Sequence, residues 1–110
     1  MDNASYRTAV LRTAQRLSET KAELNLGGMG LAGEAGEACD LIKKVVFHDK
    51  PLDRDKLIKE LGDVRWYLEF LCIALGTTIE EVQFANNAKL VERYPTGFSA
   101  EAANAPRSNV

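Results

Sequence analysis

No apolar run in the 110-residue sequence approaches the roughly 20 residues that a helix needs to cross a bilayer, so no membrane partner is expected. Basic residues are not in excess either. Fourteen Lys and Arg stand against 16 Asp and Glu, a formal net charge of -2, whereas domains that grip a nucleic-acid backbone normally carry a basic face. Nucleic acid is therefore not an expected partner. Cysteine is limited to Cys39 and Cys72, each isolated in an apolar helical pattern and without a Cys-x-x-Cys spacing. Two buried, reduced thiols are expected, in keeping with a cytoplasmic location. The opening Met1-Asp2-Asn3-Ala4 lacks the basic and apolar regions of a signal peptide. Strand alternation and internal repeats are both missing. What remains is ordinary globular composition, 45% hydrophobic and 27% charged, at a length that suits one domain.

Periodicity predicts four helices. Tyr6, Val10, Leu11, Ala14 and Leu17 place the first over about Ser5 to Lys21, with Asn3 or Ser5 as its cap. The second runs from Leu24 to Phe47, capped by Asn25, although Gly27, Gly28, Gly30, Gly33 and Gly36 each cost it about 1 kcal/mol of helix propensity. A phosphate-cradling glycine loop is excluded there, because no Gly-Lys-Ser/Thr ending and no β-branched strand accompany it. The single histidine, His48, lies just past this helix and reads as a partner of the helix dipole. Asp53 then caps a helix over Arg54 to Leu75, closed by Gly76. Thr77 or Thr78 caps the last, which stops before Pro95. Beyond it, residues 99–110 form a tail that is extended or disordered.

The sequence turns on Glu34-x-x-Glu37 and Glu60-x-x-Asp63. Positions i and i+3 lie about 60° apart around a helix, so each pair shares a face. Glu34 and Glu37 fall on the stripe of Gly30, Ala38, Leu41 and Val45; Glu60 and Asp63 fall with Leu57, Val64, Tyr67 and Leu71. These stripes should pack inward. Buried carboxylates neutralise, pair with bases such as Lys43, Lys44 or Lys59, or bind a cation. Two matching pairs favour a hard divalent cation, Mg²⁺ first and Mn²⁺ second. Asn86, Lys89 and Arg93 at i, i+3 and i+7 project with Val82 and Leu90 on the last helix, and Lys56 stands one turn before Glu60. Carboxylates that hold a metal, beside bases that neutralise phosphate, point to a metal–polyphosphate substrate. Tyr67 is placed to stack on a base or sugar, whereas Trp66, about 100° away, is expected at a packing interface.

At these residues the chain resembles the MazG-type, all-α nucleoside triphosphate pyrophosphohydrolases. The likeness rests on Gly30-Leu31-Ala32-Gly33-Glu34-Ala35-Gly36-Glu37, Lys59-Glu60-Leu61-Gly62-Asp63-Val64 and Asn86-x-x-Lys89-x-x-x-Arg93-Tyr94-Pro95. It covers roughly Tyr6 to Phe98. The resemblance implies a four-helix-bundle-like domain over residues 1–98 and Mg²⁺-dependent cleavage between the α- and β-phosphates. It implies Glu34, Glu37, Glu60 and Asp63 as metal ligands, and Lys89 and Arg93 as phosphate contacts. It also implies a homo-oligomer, a dimer or a tetramer built as a dimer of dimers. In the corresponding mechanism Glu34 and Glu37 are the catalytic carboxylates, Glu34 accepting the proton of water. An enzyme dedicated to one deoxynucleotide such as dCTP, dUTP or dGTP is an alternative in substrate only. A non-catalytic helical interaction module is the alternative in kind. A di-iron bundle wants Glu-x-x-His on two helices, which His48 does not supply.

Overall fold

Helix α1 (Asn3–Thr13) begins beneath Asp2, whose carboxylate accepts a hydrogen bond from the Ser5 N–H at 2.8 Å, so the cap is neither Asn3 nor Ser5. The computed structural model describes residues 1–107, and among these no strand forms. α1 ends at Thr13, well short of the expected Lys21. The cause is a contact outside the helical pattern. Glu23 accepts from the Leu17 N–H at 3.0 Å and from Arg16 Nε and Nη2 at 2.7 and 3.2 Å, which turns the chain before α2 (Thr20–His48). The second helix thus starts four residues before Leu24, and Asn25 lies within it rather than at its cap.

α2 continues unbroken through all five glycines. Two of them are explained by packing against α3 (Arg54–Leu75). A Cβ at Gly30 would overlap the Tyr67 ring, and one at Gly27 would meet Leu71 Cγ at 2.9 Å. Asp53 caps α3 by accepting from the Lys56 N–H at 3.1 Å, and Gly76, at φ 71°, closes it, both as expected.

The chain divides into two compact units, one from Met1 to Thr78 and the other from Ile79 onward. In the first, Val10, Ala38, Phe70 and Cys72 form the buried apolar core. Trp66 stacks on Phe70 with ring centroids 5.7 Å apart, and its Nε1 donates to Thr13 Oγ1 at 3.0 Å. Glu69 is buried between Arg65 and Arg7, at 2.9 and 3.5 Å. Cys72 is buried as expected, but Cys39 is exposed.

The second unit consists of α4 (Ile79–Arg93) and α5 (Ala100–Asn104). Side chains from Glu80 to Glu92 are exposed, so Asn86 and Lys89 do not lie on a buried stripe, and Arg93 is half-buried. The short α5, capped by Ser99 through the Ala102 N–H at 3.0 Å, occupies part of the tail expected to be extended. Residues 108–110 of that tail lie outside the described residues. No helix among the described residues is long and apolar enough to cross a membrane.

Candidate functional site

Helical spacing aims Glu34 and Glu37 from α2 toward Glu60 on α3, and the packing of the two helices brings all three together. One carboxylate oxygen from each lies within 4.8 Å of the others. Glu34 and Glu60 are half-buried and Glu37 is exposed. Glu34 Oε2 and Glu60 Oε2 are buried with no hydrogen-bond partner. Asp63, one turn beyond Glu60, is exposed but near enough for its charge to act on Glu34. Burial first, then the charge of Glu37, then that of Asp63 hold the Glu34 carboxyl above its ordinary range, with Glu60 adding to the effect.

No ion pair reaches these four carboxylates among the described residues. Lys43 and Lys44, two of the three bases offered as their partners, bridge to Asp40 instead, at 3.8 and 3.1 Å. Buried carboxylate oxygens left without a base or a donor are costly unless a cation binds. The donor set is all hard oxygen, which suits Mg²⁺ or Mn²⁺ and not a thiolate- or imidazole-seeking metal.

Beside the cluster lies an open hollow of about 420 Å³. Glu37, Asp40 and Lys44 of α2 face Lys56 and Glu60 of α3 across it, and Gly33 and Gly36 leave its wall bare. Lys56, one turn before Glu60 on α3, lines the same hollow. Tyr67 is half-buried, its ring against Gly30 and edge-on to Trp66 at 4.9 Å. Asn86, Lys89 and Arg93 belong to the second unit. There Lys89 and Arg93 line a cavity of about 700 Å³ together with Tyr94, Glu101 and Arg107.

Sequence reasoning treated Lys44 only as a neutralising base and passed over Asp40. Spacing held the signal, because Lys44 follows Glu37 by seven residues and so shares its face of α2. The Arg16–Glu23 and Arg7–Glu69–Arg65 contacts were also missed, and helical spacing carries no sign of the first or of Arg7.

The family model of the MazG nucleotide pyrophosphohydrolase domain matches residues 26–98. The Gene 37 protein of Mycobacterium phage L5 is 40% identical over 74 residues, covering 63% of this chain and 64% of that protein. The match therefore spans a little under two thirds of the relative's length. No solved structure matches the chain.

Proposed function

The chain belongs to the MazG nucleotide pyrophosphohydrolase family, and we propose on that premise that it hydrolyses (deoxy)nucleoside triphosphates to the monophosphate and pyrophosphate with Mg²⁺. The observation that carries this reading is the set of three carboxylates within 4.8 Å, two with buried and unpartnered oxygens.

Glu34, Glu37, Glu60 and Asp63 are the residues that would hold the cation, with Mn²⁺ as a substitute. A divalent cation held by these residues would offset triphosphate charge and make a nearby water easier to deprotonate. Glu34, whose Oε2 is buried and has no hydrogen-bond partner, is assigned to take the proton of the attacking water. Glu37, one turn away on the same face of α2, would share in holding the cation. Lys56 stands in the hollow where phosphate oxygens would lie. Asn86, Lys89 and Arg93 are assigned to the phosphates by their place in the family motif, where cationic donors stabilise charge on the departing pyrophosphate. Tyr67 offers its ring to the base or sugar.

Assembly as a homo-oligomer, dimer or tetramer, is part of the proposal. It is supported by large apolar side chains left in water by one chain, Phe47 at 77% and Phe84 at 78% exposed. A cytoplasmic place fits a nucleotide substrate.

The test is a panel of the four common dNTPs, dUTP and ribonucleotides with Mg²⁺, following monophosphate and pyrophosphate together. Pyrophosphate release that a chelator abolishes is the expected result, and a single preferred base would identify a dedicated enzyme. Orthophosphate release would overturn the assignment of the cleaved bond. Absence of turnover in folded, metal-supplied protein would leave the interaction module as the better account.

A further inference from the structure

The hollow beside the carboxylates holds cationic groups as well as anionic ones, and they are segregated along the helices. Lys44 lies two turns beyond Glu37 on α2, a rise of about 10.5 Å. Lys56 lies one turn before Glu60 on α3, a rise of about 6 Å. Both displacements run toward the segment that joins α2 to α3, so Glu37 and Glu60 stand toward one end of the hollow and both lysines toward the other, with Asp40 between Glu37 and Lys44 on α2.

Asp40 orders Lys44 at that end. Its Oδ2 lies 3.1 Å from Lys44 Nζ, one turn away on the same helix. An ammonium has three donors, so two remain for a ligand when Asp40 takes one. Lys43 provides an internal contrast, because it reaches the same Asp40 at 3.8 Å but does not line the hollow. Gly33 and Gly36 line it, and a Cβ built at either meets nothing within 4 Å. That bare wall lets ligand oxygens approach the helix closely.

We propose that Lys44 is a further substrate-binding residue, which contacts the outer phosphates of a nucleoside triphosphate whose cation is held by Glu37 and Glu60 in the same hollow. The inference rests on the pyrophosphohydrolase reading and extends it to a residue outside the family motif segments quoted above. It places a cationic phosphate contact within the first unit itself, beside Lys56.

The experiment compares the full-length wild type with Lys44→Gln, Lys44→Arg and Lys43→Gln. Two readouts are taken: KM and kcat for Mg²⁺-dependent pyrophosphate release, and calorimetric binding of inorganic tripolyphosphate with Mg²⁺. Loss of one charge-assisted contact should raise KM and the tripolyphosphate Kd about tenfold in Lys44→Gln, with a smaller change in kcat. Lys44→Arg should recover most of the loss, and Lys43→Gln should stay within about twofold of wild type, as an exposed charge away from the ligand does. Mg²⁺ binding without nucleotide should be unchanged in Lys44→Gln. Equal KM and Kd values in Lys44→Gln and Lys43→Gln would overturn the assignment. A wild type that binds tripolyphosphate but releases no pyrophosphate sinks the activity alone, and the Kd comparison still decides Lys44. A wild type that does not bind tripolyphosphate overturns the assignment as well.

Discussion

Glu34 is caught between burial, which leaves its Oε2 unpartnered, and the like charges of Glu37, Asp63 and Glu60. Both effects raise its proton affinity above that in the unfolded chain. Such a group contributes stability that is fully present below the unfolded pKa and is lost as pH rises through the higher folded value. Without metal, wild type should therefore lose thermal stability relative to Glu34→Gln as pH rises through that window. Mg²⁺ should restore the wild type by several degrees while the variant gains less. The same variant should lose about two orders of magnitude in turnover if Glu34 is the base. Glu23 behaves in the opposite sense. Arg16 first, then the Leu17 N–H, hold its carboxyl below the usual range. Its contribution is present above the unfolded pKa and lost as pH falls through the lower folded value. Urea melts at neutral and acid pH should show Glu23→Gln less stable than wild type at neutral pH and the gap closing in acid. The two carboxylates differed in how readable they were. The Glu34–Glu37 pairing was legible because helical spacing within one motif sets it, whereas the approach of Glu60 and Asp63 depends on how α3 packs on α2. Glu23 was not, because its bond to Arg16 requires the first helix to stop at Thr13, where neither Gly nor Pro marks an end.

The second helix shows why an uninterrupted apolar period outweighed five glycines. Gly27 and Gly30 admit Leu71 and the Tyr67 ring from α3, so packing repays the propensity they lose. Gly30→Ala should accordingly destabilise the fold by about 1–3 kcal/mol, the cost of forcing a methyl into a packed contact. Gly36 has open space instead. Gly36→Ala should stabilise α2 by about 1 kcal/mol, seen as a melting temperature a few degrees higher. It should also slow turnover, because the methyl intrudes on the hollow; a variant that gains stability with full activity would show that the bare wall serves no ligand. Element boundaries were legible where capping chemistry is local, at Asp53 and Gly76. The short α5 escaped notice because an Ala-rich pentapeptide behind Ser99 has too few apolar positions to show a period.

A chain of this length leaves much apolar surface in water when alone. Met29, Val46, Phe47 and Phe84 are all more than half exposed, and the proposed homo-oligomer would cover some of them. The expected measurement is sedimentation of a dimer or tetramer, with Phe84→Lys shifting the distribution toward smaller species. A wild type that sediments as a monomer at working concentration would overturn the homo-oligomer. The surplus of apolar stripes was visible in the sequence as helices with more inward faces than one short chain can bury. Which of them stay exposed was not, because that depends on how far each helix extends and which face its partner takes.

One guanidinium has a consequence for how the first unit breathes. Arg7 of α1 donates to the Thr77 carbonyl at 2.6 Å and reaches Glu69 of α3 at 3.5 Å. It thereby ties α1 to the second residue past the end of α3. Segments fastened by a shared clasp open together, as one cooperative piece, when amide protons exchange with deuterium. The amides of Asn3–Thr13 and those at 76–78 should thus take up deuterium at a common rate. High salt or Arg7→Gln should quicken both together while the middle of α2 keeps its protection.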